Sequence, residues 1–317
     1  EPNRLTPAEA ALLVVLPQSP TRLRPQLNPQ AAQAARDKVL RRMAELGVLS
    51  TQQAQEALQE SVPTLRRPLP FLAPHLADRL RLQQPTNPSI STLIDSELQR
   101  TLESMARAEL NRLELGANIA MLVVRNQGRE VLAYIGGADF QDPRRAGQLD
   151  LTRAIRSPGS TLKPLIYGMG FDDFLIHPET LVMDAPTRFG GYQPSNFDPV
   201  YLGQISVREA LQRSLNIPAV AVLEQVGPER VDARLRDVGL PLRWGGPNPR
   251  PGLPLVLGGV GTTLEHLVTL YSAFADQGQV RSLRYTTSLT TDNSVRSIIS
   301  PAATWQLTRI LEAAPPP

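Results

Sequence analysis

Thirty prolines limit how far any helix or strand can run in this chain of 317 residues. Proline fixes φ and lacks a backbone N–H, so it is tolerated at a helix start but breaks a helix interior or a central strand. Six of the prolines fall within one short interval: Pro63, Pro68, Pro70, Pro74, Pro85 and Pro88. This clustering predicts a linker or extended arm over residues 61–90, with a separate folded part on each side.

The part before this interval, residues 1–60, is predicted to be helical. Thr6 and Glu9 form a capping-box pattern around Pro7, which suits a first helical position. A second amphipathic helix is predicted over about residues 29–46, and a third is predicted to begin at Ser50.

The part after residue 90 mixes helical and strand patterns. Apolar residues recur at helical spacing over residues 95–115, and two apolar runs follow at 119–124 and 131–135, separated by the turn residues 126–128. Further helices are predicted at these places: after Pro164, from Ser206, from Pro218, from Pro228, from Thr262 and from Ser300. Helices combined with a strand pair in this order predict an α+β fold.

Composition removes several classes of function. The absence of cysteine excludes a disulfide framework, a cysteine-ligated zinc and a thiol nucleophile. The three histidines, His75, His177 and His266, lie too far apart in sequence to suggest a metal site or a Ser/His/Asp triad. The net charge of +3 comes without a Lys/Arg block, so no nucleic-acid patch is predicted, and no apolar run is long enough to span a membrane.

Lysine is the rare residue that points to chemistry. Only Lys38 and Lys163 occur, so nearly all of the 33 basic residues are arginine. A lysine retained in such a chain can do what arginine cannot, which is to lose its proton near neutral pH. Lys163 follows Ser160 by three residues at a predicted helix start, so the two side chains share one face. A desolvated lysine there could act as a general base toward the serine, although an ordinary exposed helix start shows the same spacing.

A second pair, Ser214 and Asn216, lies at the end of another predicted helix. Ser-x-x-Lys and a Ser-x-Asn element occur together, with Lys-Thr-Gly, in penicillin-binding proteins and class A β-lactamases. A second serine can relay a proton between the lysine and a leaving group, and an asparagine can orient the lysine and bind a substrate amide.

With both elements placed, the chain resembles the class A penicillin-binding proteins nearly from end to end. Residues 156–164 resemble the nucleophile segment of that family. Other segments resemble the end of its glycosyltransferase domain, the start of its transpeptidase domain, the second-motif region and the helix entry before the third motif: 5–20 with 39–43, 92–99, 194–198 with 203–220, and 257–263.

The resemblance implies a penicillin-binding-protein or serine β-lactamase-like transpeptidase fold, a sheet flanked by helices. It divides the chain into a C-terminal helical part of a glycosyltransferase domain (1–60), a proline-rich linker (61–90) and a transpeptidase domain (91–317). It further implies a peptidoglycan DD-transpeptidase within a bifunctional parent. The expected location is the periplasmic side of the bacterial inner membrane, with the anchor outside this chain.

The same resemblance assigns roles to four residues and a set of partners. Ser160 would be the nucleophile and also supply an oxyanion amide, Lys163 the base, Ser214 the proton relay, and Asn216 the orienting and substrate-binding residue. The partners would be peptidoglycan stem peptides, a lipid-linked precursor and β-lactam antibiotics, with no cofactor, no metal and no nucleic acid.

Two departures from the family pattern keep alternatives open. Neither lysine stands in a Lys-Thr/Ser-Gly sequence, and residues 261–263, Gly-Thr-Thr, are better explained as a helix cap. The acidic segments that the glycosyltransferase needs are also missing from residues 1–60. A non-catalytic penicillin-binding scaffold or sensor module is therefore the main alternative. A serine β-lactamase is less compatible with the glycosyltransferase-like segment and the linker.

Overall fold

A computed structural model describes residues 5–65, 71–198, 200–246, 249–287 and 294–315. The chain forms two compact units, Glu1–Pro70 and Phe71–Pro317.

The first unit is built from three helices, as the sequence predicts: α1 (Pro7–Val15), α2 (Pro29–Glu45) and α3 (Thr51–Gln59). Capping boxes begin two of them, because the side chains of Thr6 and Ser50 accept the third backbone N–H of α1 and α3. The helices pack through small buried clusters whose members include Leu12, Val15 and Leu40.

The second unit contains the remaining helices and all of the strands that the structure describes. The helices are α4 (Pro74–Gln83), α5 (Ser96–Leu110), α6 (Lys163–Asp172), α7 (Val207–Gln212), α8 (Asn216–Val226), α9 (Pro228–Asp237), α10 (Leu264–Phe274) and α11 (Pro301–Glu312). The antiparallel strand pairs are β1 (Met121–Arg125) with β2 (Glu130–Ile135), β3 (Leu181–Asp184) with β4 (Gly203–Ser206), and β5 (Gln279–Val280) with β6 (Arg296–Ser297). This mixture confirms the α+β prediction.

Helix α4 differs from the extended arm that the prolines predict over residues 61–90. Pro74 occupies its first turn and the next prolines follow its end, so they bracket a helix instead of interrupting one. Leu76 and Leu80 are buried against β2, which holds this helix in the second unit. Pro68 and Pro70, which also belong to that prediction, lie outside the described residues.

The β1–β2 hairpin is covered by a helix on each face. Val123 pairs with Ala133 and Val124 pairs with Val131, so Leu132 is an extra residue in β2. This bulge reverses the alternation of faces. As a result, Val131 packs with α4 on one face, while Ala133 packs with α5 on the other.

The main core of the second unit surrounds α6. Every residue of α6 from Lys163 to Phe171 is buried, and its apolar residues contact α8 and α11. Burying a leucine or isoleucine side chain stabilises a fold by about 1.5–3 kcal/mol, so α6 has little freedom to move. None of the helices among the described residues is long and apolar enough to cross a membrane.

Candidate active site

The turn before α6 presents Ser160 to solvent. Gly159 has a φ of 55°, a left-handed conformation that glycine adopts without a Cβ clash. A short 3₁₀ helix, Gly159–Leu162, then leads directly into α6. Ser160 lies on this turn with its side chain exposed, and within the described part of the chain its hydroxyl has no hydrogen-bond partner. The hydroxyl is therefore accessible to a reactant from outside.

A loop that is distant in sequence is hydrogen-bonded to the same turn. The Ser157 hydroxyl donates to the Gly258 carbonyl at 2.7 Å and accepts from the Gly159 N–H at 3.3 Å. Arg156 and Thr262 pair through two backbone hydrogen bonds of 2.8 and 2.9 Å. The entry to α6 is thus bonded to the segment that precedes α10.

Lys163, the first residue of α6, is 1% exposed although it carries an ionisable amine. Its Nζ donates to Ser214 O at 2.5 Å, to Asn216 Oδ1 at 2.7 Å and to Ser214 Oγ at 3.2 Å. These are three acceptors, as many as an ammonium group has protons. Burial lowers the pKa of Lys163 from 10.5 to about 8. At neutral pH about a tenth of the amines would therefore be unprotonated, several hundred-fold more than at the ordinary pKa.

Ser214 adopts a strained backbone conformation in the connection between α7 and α8. Its φ of 52° lies in the left-handed region, which costs a residue other than glycine on the order of 1–3 kcal/mol. The conformation directs both the carbonyl and the hydroxyl of Ser214 toward Lys163. The sequence predicts a helix beginning at Pro218, but α8 begins at Asn216, because the Asn216 N–H has a side-chain acceptor in place of a helical one.

Asn216 is oriented from two sides. Its Nδ2 donates to Ser195 O at 2.8 Å, so its Oδ1 is left facing Lys163. Its backbone N–H donates to Asn196 Oδ1 at 3.0 Å. The amide that contacts the lysine is thus held at both its side chain and its backbone.

Asn196 and Asp184, to which the sequence assigns no role, complete the hydrogen bonds around Asn216. Asn196 Nδ2 donates to Asp184 Oδ1 at 2.7 Å, and the other carboxylate oxygen accepts from Leu202 N at 2.9 Å. Asp184 ends β3 and is fully buried. In the sequence, Asn196 lies in a segment of family resemblance, whereas nothing distinguishes Asp184.

The structure brings Lys163, Ser214 and Asn216 into direct contact, with Ser160 on the preceding turn. Thr262 and Thr263 are accounted for by backbone structure, since Thr262 forms a bridge with Arg156 and Thr263 caps α10 by accepting from His266 N at 3.1 Å. The catalytic roles of the four site residues remain predictions.

Comparison with known families gives a match over most of the second unit. Residues 119–314 match the family described as penicillin binding protein transpeptidase domain. Penicillin-binding protein 1C of Escherichia coli (strain K12) is 45% identical over 321 residues, covering 100% of this chain and 41% of that protein. Residues 154–160, Ala-Ile-Arg-Ser-Pro-Gly-Ser, also resemble penicillin-binding protein 1C, and this match confirms that resemblance. Penicillin-binding protein 1F of Bacillus subtilis (strain 168) is 26% identical over 340 residues, covering 98% of this chain and 46% of that protein.

Solved structures show the same fold. The PonA1 protein from Mycobacterium tuberculosis in complex with penicillin V superposes with a TM-score of 0.63 at 18% identity, covering 76% of this chain and 70% of that one. Penicillin-binding protein 1A from Haemophilus influenzae gives a TM-score of 0.57 at 16% identity, covering 93% of this chain and 59% of that one. The chain spans less than half the length of the two curated relatives named above.

Proposed function

Because the chain belongs to the penicillin binding protein transpeptidase domain family, we propose that it carries the acyl-transfer site of a peptidoglycan DD-transpeptidase. One observation carries the proposal. The buried amine of Lys163 contacts Ser214 and Asn216, and it lies one turn after the exposed Ser160. This is the Ser-Lys form of an activated nucleophile, which needs no histidine.

In the proposed acylation step, Ser160 Oγ attacks the carbonyl of the penultimate D-Ala of a stem peptide. The hydroxyl proton passes to the neutral amine of Lys163, and the backbone N–H of Ser160 donates to the developing oxyanion. The peptide C–N bond then breaks and the terminal D-Ala leaves. The Ser214 hydroxyl relays the proton from Lys163 to the nitrogen of the departing D-Ala.

In the second step, an amine of a neighbouring stem peptide attacks the ester on Ser160. The ester C–O bond breaks as the new amide bond forms, and the proton that the amine loses passes to Lys163 and from there to Ser160 Oγ. Asn216 holds Lys163 in place through both steps and donates to or accepts from the substrate amide. A site of this kind requires no cofactor or metal.

The broader setting is part of the proposal. β-Lactams would acylate Ser160 as mimics of D-Ala-D-Ala, and a structural neighbour, PonA1, is known in complex with penicillin V. We assign residues 1–60 to the end of a glycosyltransferase domain that acts on a lipid-linked precursor and 91–317 to the transpeptidase domain. Residues 61–90 join the two, and α4 within that interval packs with the second unit. The parent protein would be anchored in the bacterial inner membrane and face the periplasm.

The test is intact-mass spectrometry of the chain after incubation with benzylpenicillin, followed by peptide mapping. We expect one adduct, on Ser160, that is absent from Ser160→Ala. Lys163→Arg keeps the positive charge but cannot serve as a base at neutral pH, so it should slow acylation strongly, whereas the matched variant Lys38→Arg should not. An adduct on another residue, or none in the wild-type chain, would contradict the proposal.

Turnover separates the proposed function from its alternatives. A transpeptidase is expected to release D-Ala from a pentapeptide donor and transfer the acyl group to an amine acceptor. A stable penicillin adduct without any D-Ala release would favour the scaffold or sensor module, and rapid hydrolysis of the drug would favour a β-lactamase.

A further inference from the structure

Asp184 is a buried carboxylate that the proposed acylation chemistry does not use. It ends β3, is 0% exposed, and uses both oxygens, accepting from Asn196 Nδ2 at 2.7 Å and from Leu202 N at 2.9 Å. A buried carboxylate is costly to desolvate, so its presence calls for a role that an apolar residue could not fill.

Asn196 connects this carboxylate to the site. It is 8% exposed, and its side-chain oxygen accepts from the backbone N–H of Asn216 at 3.0 Å. A side-chain amide has its donor on one side and its acceptor on the other. Because Asp184 can only accept, it fixes the Asn196 amide with the oxygen toward Asn216.

These contacts lead from Asp184 to the residue that binds the amine, since Asn196 holds the backbone of Asn216 and the side chain of Asn216 contacts Lys163. Asp184 sets Asn196, Asn196 receives the N–H that starts α8, and Asn216 Oδ1 faces Lys163 Nζ at 2.7 Å. Tyr167, one turn after Lys163 on α6, is also buried within reach of this carboxylate. Burial first, and then the charge of Asp184, raise the pKa of the Tyr167 hydroxyl.

We propose that Asp184 and Asn196 are positioning residues, which hold Asn216 against Lys163 and so set the acylation competence of the Ser160 site. This inference rests on the proposed function and extends it to two residues to which the sequence assigns no role. It differs from a purely structural role, in which the same contacts would only join β3 to the loop before β4.

Exchange of the two side chains separates these roles. Asp184→Asn leaves one side-chain oxygen to accept from both Asn196 Nδ2 and Leu202 N. Asn196→Asp places two carboxylates, neither of which can donate, beside each other. Each single variant therefore disrupts the hydrogen bonds between positions 184 and 196. The double variant Asp184→Asn/Asn196→Asp restores them. Its amide at position 184 can accept from Leu202 N and donate to the carboxylate at position 196, which can in turn accept from the N–H of Asn216. The net charge of the pair is also unchanged.

The first readout is the second-order rate constant of Ser160 acylation by benzylpenicillin. Each single variant is expected to lower it about tenfold or more, the effect of losing a hydrogen bond to a charged group. The double variant should recover most of the loss. Asp232→Asn is the control, because Asp232 is 3% exposed, accepts from Trp244 Nε1 at 2.9 Å and pairs with Arg236, and neither partner belongs to the site. It should lower the melting temperature but leave the rate of the folded protein unchanged.

The second readout is the titration of Lys163 itself. Lysine labelled at the ε-carbon gives two NMR signals in this chain, from Lys163 and from the exposed Lys38, and Lys38→Arg assigns them. Asp184→Asn removes a negative charge and loosens an acceptor of the ammonium, so the pKa of Lys163 should fall below about 8. The double variant moves the carboxylate one hydrogen bond closer, so the pKa should rise above its wild-type value.

The outcomes are distinguishable. Without acylation of the wild-type chain, the proposed function fails, while the Lys163 titration still tests the positioning. If the wild-type chain is acylated, single variants that are acylated at the wild-type rate would overturn the inference. A double variant that folds but is not acylated faster than the single variants would also overturn it. A single variant can fail to fold. In that case the inference is supported if the double variant folds, is acylated and has a raised Lys163 pKa.

Discussion

The Ser157 hydroxyl is bonded to the Gly258 carbonyl at 2.7 Å, a contact between positions 101 residues apart in the chain. The two backbones meet so closely that a β-carbon on Gly258 would lie 2.7 Å from the Gly159 backbone and 2.4 Å from Ser157 Oγ. The turn that presents Ser160 therefore depends on a glycine in a loop far along the sequence.

Gly258→Ala is expected to lower the rate of Ser160 acylation by about tenfold or more, because displacing a nucleophile by a fraction of an ångström to an ångström is enough for a loss of that size. Acylation kinetics with benzylpenicillin measure it. Gly239→Ala is the matched control. Gly239 has a similar positive φ of 82°, but a β-carbon there would meet no described atom within 4 Å, so only the backbone strain of about 1–2 kcal/mol should appear, as lost stability. Equal rates in the two variants would contradict the prediction.

The rate of acylation should depend on pH through Lys163. Burial lowers the pKa of this amine to about 8, and only the unprotonated form can accept the Ser160 proton. The second-order rate constant is therefore expected to rise with pH up to about 8 and to level off above it. A profile that keeps rising toward the ordinary lysine pKa of 10.5 would show that the amine is not desolvated. Lys163→Arg should react slowly and without this inflection.

The first unit offers a change that should leave the site untouched. The Ser50 hydroxyl accepts from Gln53 N at 3.1 Å, and the Gln53 side chain accepts from Ser50 N at 3.0 Å, closing the capping box of α3. Ser50→Ala should cost about 1 kcal/mol of unfolding free energy, measured by chemical denaturation. Ser61 lies two residues beyond α3, so Ser61→Ala serves as the control and should change little. A change in Ser160 acylation with Ser50→Ala would contradict this prediction.

Helix starts could be predicted from the sequence because a cap is a local device. Four predicted capping residues accept a backbone N–H in the structure: Thr6, Ser50, Ser206 and Ser300. The helix predicted from Thr262 is capped one residue later, by Thr263. Helix α4 could not be predicted in the same way. Pro74 can begin a helix or break one, and the choice depends on Leu76 and Leu80 packing against β2, a contact distant in sequence.

Some residues of the site can also be predicted from local sequence, whereas others depend on contacts between distant segments. Residue type and spacing are sufficient to select Ser160, Lys163, Ser214 and Asn216, since a rare lysine three residues after a serine is visible in the sequence itself. Asp184 is not visible in this way, because its importance depends on the end of β3 lying beside the start of α8. No spacing rule reports that approach.

Replacing Lys163 by methionine should separate stability from reactivity. The folded-state pKa of about 8 is below the ordinary 10.5, so between these pH values the unfolded chain binds more protons than the folded one. The unfolding free energy of the wild-type chain should therefore gain up to a few kcal/mol as pH rises through this window, at roughly 1.4 kcal/mol per pKa unit. Lys163→Met should lack that contribution and should abolish acylation of Ser160. Denaturation at a series of pH values measures the unfolding free energy of the two proteins. If this free energy depends on pH in the same way in both, the pKa of Lys163 is not lowered by burial.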